Sequence, residues 1–128
     1  MATQAFSAPG LRLELEEKAE ETIVHCFGKI TAESAEMFQA YIRDNVIPAS
    51  RGKDMAVTNR IILDLGNVTY IDSTGLGALL GVWTAAQRRS CDMEVVNLGS
   101  RVEELFAITK LDQVFTKMKG LFGGDKPK

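Results

Sequence analysis

The chain has 128 residues, with 45% hydrophobic and 25% charged residues and a formal net charge of −2. This length and composition suit one globular domain, and the absence of a dense basic run argues against nucleic-acid binding. No secretory signal is recognisable and no apolar stretch approaches the roughly 20 residues that span a bilayer, so we expect a cytoplasmic protein without membrane insertion.

The first half of the sequence predicts a β-hairpin followed by a helix. Residues 1–10 are small and polar and are expected to form a flexible arm. Apolar and charged residues alternate over 11–15, and residues 22–27 are apolar and partly β-branched, so both segments are predicted to be strands. From residue 32 the apolar spacing becomes three or four, which predicts an amphipathic helix capped by Thr31 or a neighbour.

The second half predicts alternating strands and helices. Residues 49–59 have no sustained period and are predicted to be a loop. The apolar run 61–63 is typical of a strand covered on both faces, and we expect it to be the central strand. A turn is expected between this strand and a second helix, which apolar spacing predicts to begin after residues 68–71. A short strand at 93–96 and a third helix from Val102 follow.

This element order predicts an α/β fold: a single domain with a mixed β-sheet, an N-terminal hairpin and crossover helices packed mainly on one face. Residues 11–116 are expected to form the domain, and 117–128, rich in glycine, to be a frayed tail. The spacing of apolar residues does not decide whether residues 111–115 form a strand or the start of a helix.

Residue types that carry metal or nucleophilic chemistry are few. Cys26 and Cys91 form no CxxC pair, and the single histidine, His25, lies in an apolar run. We expect buried, reduced cysteines and a packed or hydrogen-bonded histidine. The sequence therefore predicts no metal site, no cofactor and no catalytic residue.

The most informative segment joins a buried strand to the start of the second helix. Asp72 is a good N-cap, which places Ser73 in the first helical turn with its hydroxyl facing solvent. A phosphate there would meet the positive end of the helix dipole, and Asp72 would oppose it by charge repulsion. A phosphate at Ser73 is thus expected to change the surface rather than the fold.

Three glycines, Gly75, Gly77 and Gly81, lie in this helix, where each costs about 1 kcal/mol relative to alanine. One interpretation is a bare surface that a partner approaches closely, with Leu76 as an exposed apolar contact. The other is close packing on the protein's own sheet, which we weigh equally for Gly81 and favour less for Gly75 and Gly77.

Two motifs in this segment are specific enough to indicate a protein family. They are Leu63-Asp-Leu and Tyr70-Ile-Asp-Ser-Thr-Gly-Leu-Gly77. Together they resemble the hallmark of STAS domains, the anti-sigma-factor antagonist family. The resemblance covers about residues 11 to 116 and includes the turn at 28–31 and the segment 95–98.

The resemblance implies a partner switch and no enzymatic activity. In such a switch the unphosphorylated protein binds an anti-sigma factor that is also a serine kinase, phosphorylation ends the binding, and a metal-dependent serine phosphatase restores it. Ser73 is then the phosphorylation site, with Thr74 as the secondary candidate. The implied docking surface consists of Thr31, Asp72, Ser73, Thr74, Gly75, Leu76 and Gly77.

One position departs from the family pattern. Many phosphorylated relatives carry an aspartate in the turn after the second strand, where this chain has Thr31. The departure argues against efficient phosphorylation, or for a different kinase or a system regulated by binding alone.

Three other functions were weighed. A two-component receiver domain would use Asp64, but the acidic pair that holds magnesium is missing. An enzyme built on Asp64, Asp72 and Ser73 would lack a base to activate the serine. The remaining alternative is a STAS scaffold or regulatory subunit of a signalling or lipid-transport complex, without control by phosphorylation.

Overall fold

The computed structural model describes residues 3–47, 60–100 and 102–104. Its strands and helices, in chain order, are β1 (Thr3–Ala8), β2 (Leu11–Glu17), β3 (Thr22–Ile30), α1 (Ala35–Asn45), β4 (Arg60–Ile71), α2 (Ser73–Arg88) and β5 (Asp92–Val96). Residues 102–104 are helical, as predicted for the third helix. The predictions for 49–59, 111–115 and the tail lie outside the described residues.

The strands form one mixed sheet in the order β1-β2-β3-β4-β5. The pairs β1–β2 and β2–β3 are antiparallel, whereas β3–β4 and β4–β5 are parallel. The segments that contain α1 and α2 are the crossovers between the parallel strands. The predicted α/β class, mixed sheet and hairpin are confirmed, but β3 rather than β4 is the middle strand.

The core lies between the sheet and the two helices. Alternate residues of β2 to β5 are buried on the helix side, together with Phe38 and Ile42 of α1 and Leu76, Leu79 and Val82 of α2. Both cysteines are buried and free, as predicted. None of the helices in the described ranges is long and apolar enough to cross a membrane.

Residues 3–8 form the edge strand β1, so the prediction of a flexible arm was wrong for them. Phe6 lies opposite Leu13 of β2, and its ring stacks on Tyr41 of α1 with centroids 4.3 Å apart. Gly10 adopts a positive φ of 74° in the turn between β1 and β2. The limits of the domain at 11 and 116 stay a prediction.

The cap of α1 also differs from the prediction, because Ser34, not Thr31, is the N-cap residue. Ser34 is fully buried, and its hydroxyl oxygen accepts the N–H of Thr31 at 3.2 Å. The hydroxyl lies 3.3 Å from the Lys29 carbonyl oxygen, to which it donates. The side chain therefore stabilises the turn that leads into α1, and Thr31 lies within that turn.

β4 extends to Ile71, so the turn predicted between the buried strand and α2 was wrong. The pairing of β3 with β4 shifts twice, from His25/Asp64 to Phe27/Asn67 and from Gly28/Val68 to Lys29/Tyr70, each time with one extra residue on β4. These shifts are β-bulges, which change the face to which later residues point. The buried positions of β4 are accordingly Ile61, Leu63, Leu65, Val68 and Ile71.

The sheet face turned away from α1 and α2, called here the open face, carries a histidine between two carboxylates. His25 Nε2 lies 3.0 Å from Glu16 Oε1, and His25 Nδ1 lies 2.9 Å from Asp64 Oδ2. The hydrogen bond to Glu16 raises the pKa of His25, burial opposes it, and Asp64 adds to the increase. The prediction of a hydrogen-bonded histidine is confirmed, and the ring of His25 on β3 lies between carboxylates of β2 and β4.

We predict that the pKa of His25 in the folded protein lies above 6.5, because only the imidazolium form donates to both carboxylates. The stabilisation from this linkage is then complete below about pH 6.5 and is lost as the pH rises through the raised pKa. His25 is the one histidine in the sequence, so an NMR titration of its ring reports the pKa directly.

Glu16→Gln should move this pKa down. The control, Glu20→Gln in the turn between β2 and β3, should leave it unchanged. A pKa of His25 at or below 6.5, or an equal response to both variants, would contradict the assignment.

Candidate functional site

The start of α2 is held in place by the side chain of Asp72, which follows β4 directly. Asp72 Oδ1 accepts the N–H of Gly75 at 2.8 Å, as the predicted N-cap should. Its Oδ2 accepts the N–H of Ala32 at 3.1 Å, and its own N–H donates to the carbonyl of Ile30 at 3.2 Å. One carboxylate therefore joins α2 to the turn between β3 and α1.

Ser73 is the first residue of α2, and its side chain is exposed. Thr74 beside it is also exposed, whereas Asp72 is half-buried. The free N–H groups of a first helical turn carry the positive end of the helix dipole, which favours a negative group at this position. The structure thus places the predicted hydroxyl where a phosphate reaches solvent without entering the core.

The glycines of α2 do not share one role. Gly75 is buried, and a Cβ added to it would overlap the carbonyl oxygen of Ile30. A Cβ on Gly81 would meet the side-chain amide of Gln39 on α1. At Gly77, which is exposed, a Cβ would have nothing within 4 Å. Close packing against the sheet explains Gly75, whereas Gly81 faces only the mobile end of the Gln39 side chain, so packing does not require a glycine there. Gly77 has the bare surface predicted for a partner.

Leu76 was predicted to be an exposed apolar contact, and this prediction was wrong because its side chain is fully buried in the core. Burying a leucine stabilises the folded state by about 1.5–3 kcal/mol relative to leaving it exposed. Leu76 and Gly75 therefore position the helix rather than offer surface to a partner.

The other predicted docking residues lie together at the carboxyl end of β3 and β4. Thr31 is half-buried in the turn that Asp72 contacts through Ala32. We call this surface the α2 rim, defined by Thr31, Ala32, Asp72, Ser73, Thr74 and Gly77. The contact through the Ala32 backbone has no signal in the sequence, because any residue provides the same N–H.

Asp64, the residue on which the rival receiver and enzyme hypotheses depended, lies elsewhere. Its Oδ1 accepts the Gly66 N–H at 2.9 Å and the Asn97 amide at 3.0 Å, and its Oδ2 contacts His25. Burial raises the pKa of Asp64, but these hydrogen bonds outweigh it and lower the pKa overall. Asp64 lies on the open face, roughly 20 Å along β4 from the rim, so it is not brought together with Ser73.

Within the described ranges, no group of three or more His, Cys, Asp or Glu side chains is arranged to hold a metal ion.

Substituting alanine at Gly75 and at Gly77 separates the two roles. Gly75→Ala should lower the free energy of unfolding by about 1–3 kcal/mol, because the new methyl group overlaps the Ile30 carbonyl oxygen. Gly77→Ala should raise it by about 0.5–1 kcal/mol, since alanine favours an exposed helical position with open space around it. Urea unfolding of the two variants and the wild type measures both changes. Equal effects at the two positions would be inconsistent with this packing.

The family model for the STAS domain matches residues 12–122. The anti-sigma-B factor antagonist of Bacillus subtilis is 27% identical over 105 residues, which cover 81% of this chain and 87% of that protein. The anti-sigma-B factor antagonist of Listeria monocytogenes is 36% identical over 52 residues, 41% of this chain and 46% of that protein.

Among solved structures, the unphosphorylated anti-sigma factor antagonist SpoIIAA is similar with a TM-score of 0.60 and 18% identity, over 85% of this chain and 97% of that one. Phosphorylated SpoIIAA, from Bacillus, has a TM-score of 0.55 and 20% identity, over 79% and 86% of the two chains. The murine Slc26a9 anion transporter has a TM-score of 0.60 and 20% identity, over 73% of this chain and 14% of its own. These likenesses show the fold.

Proposed function

The chain belongs to the STAS domain family, and we propose that it is an anti-sigma-factor antagonist controlled by phosphorylation of Ser73. In this proposal the unphosphorylated α2 rim binds an anti-sigma factor that is also a serine kinase. The kinase phosphorylates Ser73 and the complex separates, and a metal-dependent serine phosphatase restores binding.

The observation that carries the proposal is the exposed hydroxyl of Ser73 at the first position of a capped helix. The name of the Bacillus subtilis relative, which aligns over most of both chains, supports the antagonist role. SpoIIAA, which shares the fold, is known in phosphorylated and unphosphorylated forms, and this supports a switch by phosphorylation.

The electrostatics of the rim explain how a phosphate would act. The carboxylate of Asp72 already accepts the N–H groups of Gly75 and Ala32, so a phosphate on Ser73 would place a second negative group beside this carboxylate. Adding a charge of about −1.5 to −2 beside that carboxylate changes the charge and bulk of the exposed surface. The phosphate therefore repels a docked partner while the core beneath keeps its packing.

Thr31 affects the electrostatic repulsion that a phosphate on Ser73 would meet. It lies in the turn attached to Asp72, and its side chain is neutral where an aspartate would add a second negative charge. Less repulsion then acts on a phosphate at Ser73 than in a chain with aspartate at that position. This electrostatic effect favours a phosphate at Ser73, whereas the departure from the family pattern argues against efficient phosphorylation. That expectation stays a prediction, as does the secondary role of Thr74.

This function requires no catalysis by the chain itself. Ser73 serves as a phosphate acceptor, and the base and the nucleotide belong to the kinase. Asp64, the other acidic candidate, is engaged by His25, Asn97 and the Gly66 N–H.

A second candidate function is a STAS scaffold or regulatory subunit of a signalling or lipid-transport complex that is not controlled by phosphorylation. The observation that favours it is the fold shared with a segment of the Slc26a9 anion transporter. Neighbouring genes distinguish the two proposals, since a serine kinase gene supports the first and transporter genes support the second.

Incubation with the cognate kinase and ATP should add one phosphate to the wild type and to Thr74→Ala, and none to Ser73→Ala, as measured by intact mass spectrometry. Ser73→Asp should weaken binding to the unmodified kinase on the order of 10-fold or more, because the new charge faces the docked surface. Thr84→Asp, which adds the same charge at an exposed position about 16 Å further along α2, is the matched control and should bind as the wild type does.

Circular dichroism should show that all four variants keep the wild-type fold. Labelling of Ser73→Ala, or normal binding by Ser73→Asp, would refute phosphorylation control at this residue.

A further inference from the structure

Tyr70 has no role in the function described so far, although it is the first residue of the motif that contains Ser73. Its side chain is 45% exposed, and among the described residues the other large hydrophobic side chain with comparable exposure is Met37 at 44%. Tyrosine in a strand usually packs against its neighbours, so a tyrosine turned to solvent beside a regulated hydroxyl requires a physical reason.

The second bulge of β4 is what turns Tyr70 outward. Gly28 pairs with Val68 and Lys29 pairs with Tyr70, so Thr69 is the extra residue on β4. Thr69 supports the bulge because its hydroxyl donates to the Gly28 carbonyl at 3.3 Å. With regular alternation from buried Val68, Tyr70 would point into the core. Bulges of this kind often re-aim a side chain next to a functional site.

Tyr70 also lies close to the proposed phosphorylation site. Ser73 follows Tyr70 by three positions, which limits the distance between their Cα atoms to about 11 Å. A typical protein interface buries about 800 Å² on each partner, which is wide enough to cover both residues. Lys29, exposed and paired with Tyr70, lies at the same end of the open face.

We propose that Tyr70 is the apolar anchor of the docking surface, which continues from the α2 rim over the carboxyl edge of the sheet onto the open face. This inference rests on the proposed function, and the occupant is the same anti-sigma factor kinase. The partner presents an apolar pocket for the ring of Tyr70, with an acidic group beside it to complement Lys29. Aromatic side chains that fill such pockets carry a large share of interface binding energy.

In this arrangement one residue provides binding affinity for the partner and another residue controls whether the partner binds. Tyr70 supplies contact area that is independent of phosphorylation, whereas Ser73 lies near enough for a phosphate to disturb the same footprint. A phosphate at Ser73 then ends binding without reaching the tyrosine itself.

The test measures binding of the purified anti-sigma factor kinases encoded in the same genome, without ATP so that Ser73 stays unmodified. Tyr70→Ala should raise the dissociation constant about 10-fold or more, and Tyr70→Phe, which keeps the ring, should stay within about 3-fold of the wild type. Gln87→Ala is the control, since it shortens an exposed side chain about 20 Å further along α2 than Ser73 and should leave binding unchanged.

Thermal unfolding checks that each variant is folded, and Tyr70→Thr, which keeps a strand-forming residue, replaces Tyr70→Ala if that variant unfolds. Wild-type affinity in a folded variant that lacks the ring, or an equal loss in Gln87→Ala, overturns the role of Tyr70 while the proposed function stands. Failure of the wild type to bind any of the kinases overturns the proposed function and this inference together.

Discussion

The carboxylate of Asp72 is the contact on which the site depends. Its two oxygens bind the N–H groups of two different elements, Gly75 in α2 and Ala32 in the turn before α1. Gly75 permits this approach because it has no side chain to collide with the carbonyl of Ile30. The helix therefore starts at the end of the sheet with Leu76 in the core and Ser73 in solvent.

The local signals in the sequence predicted much of this arrangement. Alternation predicted β2, an apolar and partly β-branched run predicted β3, and the helical spacing together with Asp72 predicted the start of α2 at Ser73. Residues 3–8 gave no such signal, because their order comes from pairing with β2 and from the stacking of Phe6 on Tyr41, far away in sequence. The sequence pattern did not reveal where β4 ends. Its bulges place buried residues three apart, and this spacing does not match the period of two expected of a strand.

The two faces of the sheet explain why the site lies where it does. Helices cover one face, and the open face carries side chains that pair across strands, such as His25 with Glu16 and Asp64, and Arg60 with Glu94 at 2.6 Å. The carboxyl edge of β3 and β4 lies between these faces and presents both the α2 rim and Tyr70. The role of each glycine depends on the neighbours that the fold places beside it. The spacing of the glycines in the sequence therefore did not distinguish the packed Gly75 from the exposed Gly77.

The central claim is that a charge at Ser73 changes the surface while the core stays as it is. The most direct measurement compares the ¹H–¹⁵N NMR spectra of the chain with serine and with phosphoserine at position 73. We expect amide shifts to change in residues 31–33 and 72–77 and to stay constant at the buried positions of β3 and β4 away from the rim, which are Val24, Cys26, Ile61, Leu63 and Leu65. Changes spread across those buried strands would contradict it, because the phosphate would then act by altering the fold.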